Sequence, residues 1–85
     1  MPAPIDIRYF AWLRERIGTG HEAVETDAAT VADLIDELKT RSDAHAFALS
    51  DLTVVRAAVD QALVPLDTSL TGAREVALFP PTTGG

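Results

Sequence analysis

No cysteine occurs in the 85 residues. Without one the chain forms no disulfide, offers no thiolate nucleophile and has no sulfur ligand for zinc or an iron–sulfur cluster. That composition fits a reducing compartment, and a cytoplasmic location is expected. Basic side chains are scarce too: 7 Lys and Arg against 13 Asp and Glu leave a net charge of -6. Nucleic-acid affinity comes largely from cations that displace counterions condensed on phosphates, so no nucleic-acid partner is expected. No apolar run approaches the ~20 residues needed to cross a bilayer, and the opening Met1-Pro2-Ala3-Pro4-Ile5-Asp6 lacks a basic start. Neither a membrane span nor a cleaved leader is expected. A chain of this length makes one domain that buries a little over ~60% of its unfolded surface, too little for a large catalytic cleft.

What is present is periodic. Ile5, Ile7 and Tyr9 alternate with Asp6 and Arg8, the pattern of a strand with one buried face, over about Pro4 to Phe10. Phe10, Leu13 and Ile17 then fall at helical spacing, with Arg14 and Arg16 near the carbonyl end and Gly18 as a stop. The Gly18-Thr19-Gly20 run follows a helix rather than a strand and lacks a third glycine, so it reads as a turn and not as a dinucleotide loop. His21 to Thr26 alternates around Val24 as a second strand. Thr30 and Asp33 form a capping-box pattern ahead of Val31, Leu34, Ile35 and Leu38, whose i, i+3, i+4, i+7 spacing predicts the main helix to about Thr40. Asp43 to Asp51 is small and alanine-rich, with Phe47 and Leu49 its only large apolar groups, and reads as a connecting segment with room for one helical turn. Thr53–Val59 and Ala62–Val64 predict a hairpin turned at Asp60-Gln61. Leu70 to Ala73 reads as a turn, and Glu75–Phe79 is a last strand stopped by Pro80-Pro81. The order predicts an α+β structure, one mixed sheet of about five strands with a main helix across one face. The uncovered face then keeps Phe79 and Phe10 for a partner or a small second cluster.

Few residues within the globule suggest chemistry. His21 and His45 have no second histidine at i+3 or i+4, and both read as surface histidines rather than metal ligands. Ser42, Ser50 and Ser69 lack the glycines of a nucleophile elbow. The acids Glu22, Glu25, Asp27, Asp33, Asp36 and Glu37 read as a solvated face, able to steer the molecule toward a basic partner.

The ending is different. From Val76 to Gly85 no side chain carries charge, and bulk falls away toward two glycines. Pro80-Pro81 ends the strand ladder and favours extended backbone, so Pro80 to Gly85 would project roughly 20 Å from a domain of residues 1–79. Gly84 and Gly85 lack Cβ, so a channel in another protein can close around them. A terminal carboxylate is ionised at neutral pH and acylates poorly until an oxygen becomes a leaving group. An activating enzyme is implied.

Arg74-Glu75-Val76-Ala77-Leu78-Phe79-Pro80-Pro81-Thr82-Thr83-Gly84-Gly85 closely resembles the ending of the small, sulfur-carrying subunits of molybdopterin synthase, the MoaD type of ubiquitin-like protein. Tyr9-Phe10-Ala11-Trp12-Leu13-Arg14-Glu15-Arg16-Ile17-Gly18 and Ala57-Ala58-Val59-Asp60-Gln61 extend the likeness over nearly the whole chain. Arg74 stands where that family commonly has an acid, Leu78 where it has an aromatic, and Asp60 where it has Asn. The resemblance implies a ubiquitin-like β-grasp fold with first and last strands paired centrally and a flexible tail. It implies a protein that is no enzyme alone and binds no cofactor. Gly85 would be adenylated with ATP by an E1-like enzyme of the MoeB type and converted to a thiocarboxylate through a sulfur donor system. Pro80, Pro81, Thr82, Thr83 and Gly84 would enter a large subunit of the MoaE type in a heterotetramer, with Phe79 against that partner and catalytic residues on it. Sulfur would pass to cyclic pyranopterin monophosphate. A carrier for thiamine or cysteine synthesis, a ubiquitin-like protein modifier and a passive binding module are the alternatives.

Overall fold

The computed structural model describes residues 2–81. Chain order is β1 (Ala3–Tyr9), α1 (Ala11–Ile17), β2 (His21–Thr26), α2 (Val31–Lys39), α3 (Asp43–Ala48), a 3-10 turn at Leu52–Val54, β3 (Arg56–Val59), β4 (Ala62–Val64) and β5 (Glu75–Phe79). The strands form one sheet in the order β2-β1-β5-β3-β4. β1 and β5 run parallel at its centre, with Ile7 opposite Val76 and Tyr9 opposite Leu78, while the other neighbours are antiparallel. The central pairing implied by the sequence resemblance is present.

Period-two alternation sends Ile5, Ile7, Tyr9, Val76 and Leu78 to one side of the sheet, where all are buried. The α2 stripe of Val31, Leu34, Ile35 and Leu38 is buried there too, and these residues share a core with Leu13, Ala48, Leu49, Val55 and Ala57. Two of the N–H groups that a helix start leaves unpaired find partners in the loop before β5: Val31 donates to the Thr68 carbonyl at 3.1 Å and Ala32 to that of Leu66 at 2.8 Å. Thr30 Oγ1 accepts from the Asp33 N–H at 3.2 Å, the cap anticipated from sequence. At the end of α1, Gly18 takes φ +96° and its N–H donates to the Arg14 carbonyl at 2.9 Å, a left-handed stop that a Cβ would strain.

Arg8, Ala58, Leu63, Ala77 and Phe79 occupy the opposite side of the sheet and are exposed or half-buried. Arg8 and Glu75 pair across this face at 2.8 Å. Three local expectations are revised. The third strand starts at Arg56 and not Thr53, because Asp51 Oδ1 accepts from the Thr53 N–H at 3.0 Å and its hydroxyl at 2.6 Å and winds Leu52–Val54 into a turn. Asp43–Ala48 is a helix, capped by Ser42, whose Oγ accepts from the His45 N–H at 3.1 Å. His45 is a buried residue and not a surface histidine.

Candidate functional site

The place where β5 ends is built from several elements. β5 is held on both sides, and at its end Phe79 stands opposite Arg56 of β3 while the Phe10 N–H donates to the Leu78 carbonyl at 3.1 Å. Pro80 comes next, and with no N–H it cannot extend the ladder. Phe79, Pro80 and Pro81 are half-buried at this root, and Phe10 remains 49% exposed. The two aromatics left over by the strand pattern therefore do retain open surface. Thr82, Thr83, Gly84 and Gly85, the rest of the tail singled out from sequence, lie outside the described residues.

Beside the root is an open groove of about 530 Å³. Pro80 and Pro81 form one wall, Trp12 and Arg16 of α1 a second, and Phe47 of α3 with Asp51 and Val54 a third. Phe47 is 63% exposed, a large apolar side chain turned away from the core by a helix whose buried positions are His45 and Ala48. The Arg16 guanidinium lies over the Trp12 ring at 4.6 Å and the Phe47 ring at 5.0 Å. Among the described residues no carboxylate pairs with it. Hydrogen bonds from the Thr53 hydroxyl and N–H hold the Asp51 carboxyl below its ordinary value, so the groove is lined by an anionic Asp51 as well as by the Arg16 guanidinium.

A second cluster lies on the inner side of the sheet. Glu22 Oε2 accepts from the Tyr9 hydroxyl and from His45 Nε2, each at 2.7 Å, and Oε1 lies 3.2 Å from Arg41 Nε. Ser42 Oγ lies 2.7 Å from His45 Nδ1, and the Tyr9 and His45 rings meet edge to face at 6.1 Å. A carboxylate only accepts, so Nε2 carries the proton toward Glu22. Burial, the largest influence on Glu22, pushes its carboxyl up; hydrogen bonds from His45 and Tyr9 and the charges of His45 and Arg41 outweigh it and hold the group below the ordinary glutamate value. Burial first, then the hydrogen bond to Glu22 and its charge, push the Tyr9 phenol well above the usual tyrosine range, against a smaller opposing effect of Arg41. Serine, histidine and glutamate stand in line, but Ser42 Oγ is spent on capping α3 and borders neither the groove nor the smaller cavity at Val24 and Arg41. The cluster fastens α3 to the sheet.

Sequence reasoning missed this cluster, although two signals were available. A tyrosine on the inward row of a strand requires a hydrogen-bond partner for its hydroxyl. The alternation that buries Val24 and Thr26 also turns Glu22 inward. Glu22 is accordingly no part of a solvated acidic face; Glu25, Asp27, Asp33, Asp36 and Glu37 are exposed, and Glu37 also accepts from the Thr26 hydroxyl.

A mixed five-strand sheet with a parallel central pair, crossed on one face by a main helix, and a last strand that runs out of the sheet centre into two prolines define a ubiquitin-like β-grasp protein. The solved structure of SAMP1 from Haloferax volcanii has this fold, with a TM-score of 0.74 and 28% sequence identity over 98% of this chain and 100% of that one. The ThiS family model matches residues 7–85. A molybdopterin synthase sulfur carrier subunit from Escherichia coli (strain K12) is 44% identical over 95% of this chain and 99% of its own length. A protein of the same description from Haemophilus influenzae is 35% identical over the same shares. The chain belongs to the ThiS family, and its likeness to these sulfur carrier subunits bears out the resemblance read from its motifs.

Proposed function

We propose that this protein is the sulfur carrier of a molybdopterin synthase. Full-length correspondence with sulfur carrier subunits of that synthase carries the reading, at 44% identity to a relative of which it covers 99%. The position of β5 supports it: a strand gripped on both sides delivers the chain to Pro80-Pro81 at a fixed point on the edge of the sheet's end. The chain has no catalytic role alone. An E1-like enzyme joins the Gly85 carboxylate to the AMP portion of ATP and releases pyrophosphate. A donor's sulfur then displaces AMP, leaving a thiocarboxylate in which sulfur has replaced one carboxylate oxygen. Inside the large subunit, residues 80–85 present that sulfur to cyclic pyranopterin monophosphate, and the carrier leaves as a carboxylate once water has supplied the oxygen. ATP is consumed by the activating enzyme and is not held by this chain.

The test is reconstitution with activating enzyme, ATP and sulfur donor, then intact-mass measurement, then addition of large subunit and pterin precursor. A mass gain equal to one oxygen replaced by sulfur, lost again on incubation with the large subunit and precursor, is expected. A carrier that never gains sulfur, or gains it and passes none to the pterin, overturns the proposal. The likeness to SAMP1, a small archaeal modifier protein, favours a second reading in which Gly85 is joined to lysines. Isopeptide remnants in digests of cellular protein would establish it.

A further inference from the structure

The Arg16 guanidinium lies across two aromatic rings, at 4.6 Å from Trp12 and 5.0 Å from Phe47, and no carboxylate among the described residues pairs with it. We infer that the groove of Trp12, Arg16, Phe47 and Val54 is covered by the subunit that receives the tail, and that this subunit presents a carboxylate to Arg16 beside an apolar side chain that packs on Phe47. The inference rests on the sulfur-carrier reading and adds the surface that docks.

Geometry makes the first part. Four residues come after Pro81 and span at most about 14 Å when extended. For them to lie within a channel, its mouth has to meet this protein at Pro81, and Pro80 and Pro81 are one wall of the groove. The surface around the mouth therefore lies over the groove's other walls, Phe47 and Arg16. Chemistry makes the second part. Covering a guanidinium strips its water, and that cost is met only where acceptors replace it. Trp12 and Phe47 occupy the neighbourhood of its faces, so its N–H edge is what remains for a planar two-oxygen acceptor. Asp51, the acid that lines the groove, already accepts twice from Thr53 through Oδ1. Phe47, 63% exposed, and Trp12 with an arginine between them have the composition of an interface centre.

The experiment measures affinity of the full chain for the large subunit by calorimetry at several salt concentrations. Arg16→Gln, Arg16→Glu and Phe47→Ser are compared with Lys39→Gln, which removes the same charge from α2 outside the groove. Arg16 and Phe47 point to solvent, and thermal midpoints verify that the variants are folded. Arg16→Gln is expected to weaken binding about tenfold and to flatten its salt dependence, Arg16→Glu to weaken it further, and Phe47→Ser to weaken it about tenfold, with Lys39→Gln within about twofold of wild type. If wild type binds and Arg16→Gln and Arg16→Glu bind equally well, the groove assignment falls and the sulfur-carrier reading stands. Equal weakening by the Gln and Glu variants overturns the carboxylate. If wild type itself fails to bind, the sulfur-carrier reading falls and takes this inference with it.

Discussion

Tyr9 is the chain's single tyrosine, so its ionisation can be read directly. A free phenol titrates near pH ~10, but burial and Glu22 raise this one, and the native protein should show no phenolate absorbance as pH passes that point. Because the folded value lies above the unfolded one, the associated stability is complete below pH ~10 and is lost as pH rises, so phenolate should appear together with unfolding. Stepwise ultraviolet titration alongside circular dichroism checks this. Glu22 has the opposite sign. Its folded value is depressed below the ordinary 4.5, so its contribution is present above that pH and is lost as pH falls through the lower folded value. Glu22→Gln should cost about 1–3 kcal/mol at neutral pH. In urea unfolding, the gap to wild type should narrow as pH falls below the ordinary glutamate range. The sequence shows half of this cluster. Tyr9 sits on a visibly inward row, whereas His45 is 23 residues from Glu22 and their meeting depends on how α3 docks.

At the scale of elements, α2 was legible because its apolar stripe, cap and length agree. Leu34, fully buried on that stripe, should cost about 2–5 kcal/mol when truncated to alanine, and Thr30→Ala about 1 kcal/mol, both measured by chemical unfolding. The hairpin turn was legible as well. Asp60 and Gln61 take φ of 48° and 72°, and Asp60 Oδ1 accepts from the N–H groups of Arg74 and Glu75, each at 3.0 Å, so the turn also positions the start of β5. Asp60→Asn keeps that acceptor and the tolerance of left-handed backbone, and should unfold near the wild-type midpoint; Asp60→Ala loses both and should fall about 1–3 kcal/mol below it. α3 was not legible. Its sequence Asp43-Ala44-His45-Ala46-Phe47-Ala48 has no apolar stripe, and it is held through His45 and the Ser42 cap, contacts with no local periodic trace.

For the molecule as a whole, the proposed function gives folding and carrying to different parts. Deleting Gly84 and Gly85 should leave the thermal midpoint unchanged to about 1 °C while abolishing adenylate formation, measured as pyrophosphate release with the activating enzyme. The groove was invisible in the sequence. Its walls come from residues near 12, 47, 54 and 80, which share no motif and become neighbours only when α1, α3 and the end of β5 converge. The arrangement of β5 has a further result during synthesis. The strand at the middle of the sheet is translated after the other four, and Val76 pairs with Ile7, 69 residues earlier in the chain. A chain that stops between β4 and β5 leaves β1 and β3 each lacking a neighbour, so such a truncated polypeptide should be cut by proteases far faster than the complete sheet.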